Sequence, residues 1–125
     1  MKPKRILAAD DCPVLRGFYR LVFSGPGTEV VVAGDGAEAL RAAEAGAFDL
    51  VVTDHEMPGM DGLALVRALR ALGHGGPVAV VSGALTPALA AEYRAAGVAR
   101  LLSKPCSLAA LRALAEPAPS RVLAA

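Results

Sequence analysis

The run FDLVVTDHEMPGMDG, residues 48–62, decides how this chain is read. Its first six residues have the length and aliphatic, β-branched content of a buried strand. The strand ends by delivering a carboxylate, Asp54, and the chain then breaks at once through Met57-Pro58-Gly59. Asp61 follows, placed to cap an Ala/Leu run of helical period. A strand that carries an acid to its own end and hands over to a helix is one βα unit.

The same unit recurs on both sides. Strand-like runs fall at 5–9, 28–33, 48–53, 77–82 and 99–103, and helical runs at 13–23, 36–45, 62–72, 87–96 and 108–115. Asp35 with Glu38 reads as a capping box, Pro87 suits a first helical position, and Gly46, Gly73 and Gly97 each follow a helical run. Strict alternation predicts an α/β fold, a doubly wound five-stranded parallel sheet with helices on both faces. The loops after the strands then share one rim, where ligands bind in such sheets.

Composition narrows the function classes. A chain of 125 residues, 54% hydrophobic and 20% charged, suits one domain with a real core, assigned here to residues 1–116. Residues 117–125, with two prolines, read as a C-terminal tail or linker stub. Lys and Arg number 13 against 12 Asp and Glu, so no strong field draws the protein to nucleic acid or to an anionic membrane. No apolar run reaches signal-peptide or bilayer length, which predicts a soluble cytoplasmic protein. Cys12 and Cys106 lack metal-site or scaffold spacing and read as small apolar fillers in a reducing compartment. His74, in GHGG, reads as an exposed turn residue.

The strand ends carry the chemistry. The first strand ends in Asp10-Asp11, the third in Asp54, the fourth in Ser82 and the fifth in Lys104-Pro105. Three carboxylates gathered against one ammonium are unfavourable unless a cation joins them. An all-oxygen set without His or Cys points to Mg²⁺. A phosphoryl group drawn to that ion could be held by Lys104 and Ser82 and attacked by Asp54, which as an ionised carboxylate needs no general base. The chemistry expected is phosphoryl transfer to the protein itself, not turnover by an enzyme.

With these residues in view the chain resembles the receiver domains of two-component response regulators, over about residues 4–115. The resemblance rests on Asp-Asp at the first strand end, DxxMPGMDG at the third, Ser-Gly-Ala at the fourth and Lys-Pro after the fifth. It implies a flavodoxin-like (βα)5 fold of strand order 2-1-3-4-5. It implies Asp54 as phosphoacceptor, Asp11 as a direct Mg²⁺ ligand, Asp10 as one acting through water, and Glu56 as one acting through its backbone carbonyl. Ser82 and Lys104 become the switch hydroxyl and the phosphate-binding lysine, with Pro105 in a cis peptide. The partners implied are a sensor histidine kinase or histidine phosphotransfer protein, and an output protein on the face of the fourth helix, fifth strand and fifth helix.

Rival readings fit less well. GDGAEA, residues 34–39, matches a dinucleotide fingerprint, but Asp35 would face the pyrophosphate. A flavin phosphate would be repelled by the acids of the first strand. A small Mg²⁺-dependent phosphohydrolase with an aspartate nucleophile would have to use Glu56 as its acid/base. A receiver-like interaction module acting without phosphorylation stands as the other alternative. His55 reads as a loop position that tunes access to Asp54. Two positions depart from the family pattern: Leu101 stands where receivers usually carry the switch aromatic, and Cys106 where Phe usually follows Lys-Pro. The output face is therefore expected to respond weakly or differently.

Overall fold

The computed structural model describes residues 4–116; the expected tail, 117–125, lies outside them. Five strands, β1 (Lys4–Ala9), β2 (Thr28–Ala33), β3 (Leu50–Thr53), β4 (Val78–Ser82) and β5 (Arg100–Ser103), alternate with five helices. The helices are α1 (Pro13–Phe23), α2 (Gly36–Ala45), α3 (Gly62–Ala71), α4 (Pro87–Ala95) and α5 (Leu108–Ala113). The strands form one all-parallel sheet of order β2-β1-β3-β4-β5, as the resemblance implies.

The central strands β3 and β4 are buried along their whole length, which explains their unbroken aliphatic runs. Strand parity divides the core in two. Ile6, Ala8, Leu50, Val52, Ala79 and Val81 pack under α1 and α5 with Tyr19, Val22, Phe23 and Leu111. Leu7, Ala9, Val51 and Val80 pack on the other face with Leu65, Val66 and Leu69 of α3 and Tyr93 of α4. Among the described residues no helix is long and apolar enough to cross a membrane.

Local chemistry sets the boundaries. Asp35, Asp61, Thr86 and Ser107 each accept the backbone N–H of the third residue of the helix they precede. β3 begins at Leu50 instead of 48 because the Asp49 side chain takes the Arg5 N–H and the Phe48 ring lies under the Arg5 guanidinium. β4 begins at Val78 because Pro77 has no N–H to give the ladder. Gly73 and Gly97 close α3 and α4 in the left-handed region, at φ 95° and 90°, whereas Gly46 follows α2 in extended backbone. His74 is half-buried, not an exposed turn residue; burial and the Arg70 charge push its pKa below the usual value.

Candidate functional site

Backbone bonds carry the sheet one residue past its strands. The Asp10 N–H donates to Ala33, the Asp54 N–H to Ala9 and the Lys104 N–H to Ser82, at 2.9–3.0 Å. Because Ala9 pairs with Thr53 and Ser82 with Ser103, the strand-end groups are fixed side by side before any side chain acts. Asp10, Asp54 and Lys104 continue the parity of the α1/α5 face, and Ser82 that of the α3/α4 face.

The carboxylates of Asp10, Asp11 and Asp54 each place an oxygen within 4.8 Å of the others. Asp10 is fully enclosed and Asp54 is 6% exposed, while Asp11 faces solvent. Lys104 Nζ lies 3.0 Å from Asp10 Oδ2 and 3.3 Å from Asp54 Oδ2. Burial on its own lowers the Lys104 pKa, but the Asp10 hydrogen bond and the charges of Asp10 and Asp54 outweigh it and hold the ammonium above its ordinary range. Asp10 is further satisfied by the Cys12 N–H at Oδ1 and the Tyr19 hydroxyl at Oδ2. Asp54 Oδ1 accepts the His55 N–H at 2.7 Å.

The remaining expected residues are placed as follows. Ser82 is fully buried, and its Oγ accepts the Ala84 N–H at 3.1 Å, which leaves the hydroxyl proton to donate. Glu56 is exposed on the rim, in an open depression shared with Asp11, His55 and Asp61. Among the described residues no N–H donates to the Glu56 carbonyl. The Lys104–Pro105 peptide is cis. Leu101 is half-buried against the cluster that holds Tyr93. Asp35 caps α2, so the glycine-rich 34–39 loop is a helix start and not a phosphate cradle. Asp61 likewise caps α3 through Ala64 and stays out of the acid cluster.

The donor set fits Mg²⁺. Every candidate ligand is a hard oxygen, the local formal charge of three carboxylates and one lysine is negative, and the oxygens lie close enough for one small ion to draw them together.

Two residues at the site escaped the sequence reading, Tyr19 and Tyr93. Tyr19 donates to Asp10 at 3.2 Å from inside α1. Tyr93 Oη lies 2.6 Å from His55 Nδ1, with the two rings edge-on. Each lies on a helical stripe of apolar residues and reads as core. The signal available for Tyr19 was its place two turns into a helix that begins just after Asp10-Asp11.

A model of the response regulator receiver domain family matches residues 6–116. The transcriptional activator protein PfeR of Pseudomonas aeruginosa is 43% identical over an alignment of 114 residues that covers 87% of this chain and 35% of that protein. The protein-glutamate methylesterase/protein-glutamine glutaminase 5 of Myxococcus xanthus is 39% identical over 115 residues, 90% of this chain and 33% of that one. This chain thus spans about a third of the length of these curated relatives. The solved structure of the Vibrio cholerae chemotaxis protein CheY4 superposes with a TM-score of 0.81 at 31% identity, covering 87% of this chain and 92% of that one.

Proposed function

The chain belongs to the response regulator receiver domain family of two-component systems, and on that premise we propose that it accepts a phosphoryl group on Asp54 from a histidine-phosphorylated partner, with Mg²⁺ at the acid cluster. The observation that carries this reading is the convergence of the three carboxylates within 4.8 Å, with Lys104 bonded to two of them.

In the step itself an Asp54 carboxylate oxygen forms a bond to phosphorus as the P–N bond of the phosphohistidine breaks. The electron pair goes to the departing nitrogen, the donor histidine leaves as a neutral imidazole because its other ring nitrogen carries a proton, and the product is an acyl phosphate. Lys104, held charged by its neighbours, turns from the carboxylates to a phosphoryl oxygen, and the Ser82 hydroxyl donates to another. When bound, Mg²⁺ supplies charge neutralisation at the phosphoryl oxygens. Asp11 and Asp54 would hold it directly. Asp10, whose oxygens are engaged by Cys12, Tyr19 and Lys104, would reach it through water, and the Glu56 carbonyl would be the remaining protein ligand. Water later attacks the phosphorus, the P–O bond to Asp54 breaks and inorganic phosphate leaves as the carboxylate is restored, so the protein cycles as a switch.

Asp54 is nearly enclosed, so the donor has to seat closely around the rim. Phe18 on α1 is exposed in a groove that Leu15, Lys104, Pro105 and Cys106 also line, an apolar surface suited to a kinase or phosphotransfer protein. The output surface in this reading is the α4-β5-α5 face, altered by Leu101, with a protein as partner and the cytoplasm as its place. Intact mass after incubation with a small phosphodonor and Mg²⁺ tests the proposal. One labile phosphoryl adduct, absent from Asp54→Ala, is expected. No adduct on the wild type would favour an interaction module that works without phosphorylation, and sustained release of phosphate a hydrolase.

A further inference from the structure

α4 contributes one fully buried side chain to the core, Tyr93. α1, by contrast, buries Tyr19, Val22 and Phe23. Leu89 packs on the same core but is only partly buried, so Tyr93 is the main anchor of α4 on the sheet. Burial and the charges of Asp61 and Asp54 push the Tyr93 pKa up, so the group is a neutral hydroxyl, and a hydroxyl so enclosed needs a partner. Its partner is His55 Nδ1, 38 residues away in sequence and 2.6 Å away in space.

His55 is the residue after Asp54, and its backbone N–H holds Asp54 Oδ1 at 2.7 Å. Its carbonyl accepts the Gly62 N–H at 2.8 Å, which ties the same segment to the first turn of α3. Gly62 also makes the approach possible. A Cβ there would overlap both the Asp54 carbonyl and the Tyr93 hydroxyl. The acceptor segment, the start of α3 and the anchor of α4 meet at one point.

We propose that Tyr93 is a positioning residue that holds Asp54 through His55 and, by the same bond, makes α4 follow the state of the Asp54 carboxylate. The inference rests on the receiver reading for what changes that state, but the linkage itself is a property of the resting protein. Adding a group at Asp54 displaces the oxygen that His55 N–H holds. The imidazole and the phenol move with that segment, and α4 has only the partly buried Leu89 besides Tyr93 to resist. The route runs through α4 and needs no aromatic at Leu101.

The test uses Tyr93→Phe, which keeps the ring and removes the one polar atom. Without any ligand, Asp54→Asn is expected to shift the α4 amides, and the same substitution in the Tyr93→Phe background is expected to leave them in place. With Mg²⁺ and beryllofluoride, the wild type is expected to show shifts at Ser82–Ala84 and along α4, and Tyr93→Phe only the first set. Phosphorylation by a small donor should slow about 2- to 10-fold, the range one lost hydrogen bond supplies. His55→Phe cuts the same bond from its half-exposed end and is expected to copy the effect. α4 shifts of full size in both variants overturn the inference. A wild type whose site ignores beryllofluoride overturns the receiver reading instead, and the ligand-free comparison still decides the role of Tyr93.

Discussion

The chain has two tyrosines, and each sits under a different face of the sheet with its hydroxyl at the rim. Tyr19 on α1 donates straight to the Asp10 carboxylate, and its ring stacks on Phe23 at 6.2 Å. Among the described residues, Tyr93 on α4 bonds to the site through His55. The difference separates a fixed side from a movable one. On the α1 side, Asp10 is held by Cys12, Tyr19 and Lys104, and the helix is anchored at several points. On the α4 side one hydroxyl does both jobs. A switch needs the phosphoryl pocket to stay put while something beside it shifts, and the two tyrosines divide that work.

The largest effect is expected on the fixed side. Lys104→Met removes the ammonium that contacts both acids, and phosphorylation by a small donor should fall about 10²- to 10³-fold, as for loss of a donor that stabilises transferred charge. A fall no larger than that of Tyr93→Phe would break the comparison, because the two sides would then contribute alike.

Next in size is a pair of glycines. Gly62→Ala forces a methyl group into the Asp54 carbonyl and the Tyr93 hydroxyl, and should destabilise by about 3 kcal/mol, the upper end for overpacking, because one of the two contacts is backbone. Gly17→Ala, on α1 where a Cβ meets nothing, should stabilise by about 0.5–1 kcal/mol. Urea titrations of both variants give the two signs. Matching signs would mean that Gly62 is not the close contact described.

The hydroxyls themselves come third. Tyr19→Phe takes a donor from an enclosed carboxylate and should cost about 1.5–3 kcal/mol, whereas Tyr93→Phe removes a bond to a half-exposed imidazole and should cost about 0.5–1.5 kcal/mol. The reverse order would show α4, not α1, to be the fixed side.

Much of this was legible in the residues. Five strands and five helices stand out because punctuating residues bound each of them, from Asp35 and Asp61 at helix starts to Gly73 and Gly97 at their ends. The convergence of Asp10, Asp54 and Lys104 followed from placing acids and a lysine at the ends of parallel strands. Boundaries moved where a side chain competed with the ladder, as Asp49 does for the Arg5 N–H. α5 stops at Ala113 because its last bonds tighten to an i→i+3 pattern, from Leu114 to Leu111 and from Ala115 to Arg112. The tyrosines were hidden for a different reason. Periodicity says which face a residue occupies, but not how far its polar end reaches, nor what meets it from a distant loop. His55 and Tyr93 carry no local mark of each other.

The smallest expected effect separates the two tyrosines by pH. Both phenols are held above their ordinary value of 10.0, chiefly by burial, and Lys104 is raised as well, by Asp10 and Asp54 against the opposing effect of its burial. Each group keeps its proton more firmly in the folded chain than in the unfolded one. Their contribution is therefore complete below about pH 10 and is lost as the pH rises further, because the unfolded chain then binds fewer protons. Tyrosinate absorbance should appear only as the helical circular dichroism disappears. With Tyr93→Phe the sole reporter is Tyr19, and with Tyr19→Phe it is Tyr93. If α4 is the loosely anchored side, the Tyr93 signal should emerge at the lower pH, before the helical signal is fully lost, because a local opening of α4 exposes that phenol without unfolding the sheet. Coincident curves in both variants would mean that α4 opens only with the whole domain, and the division between a fixed and a movable side would fail.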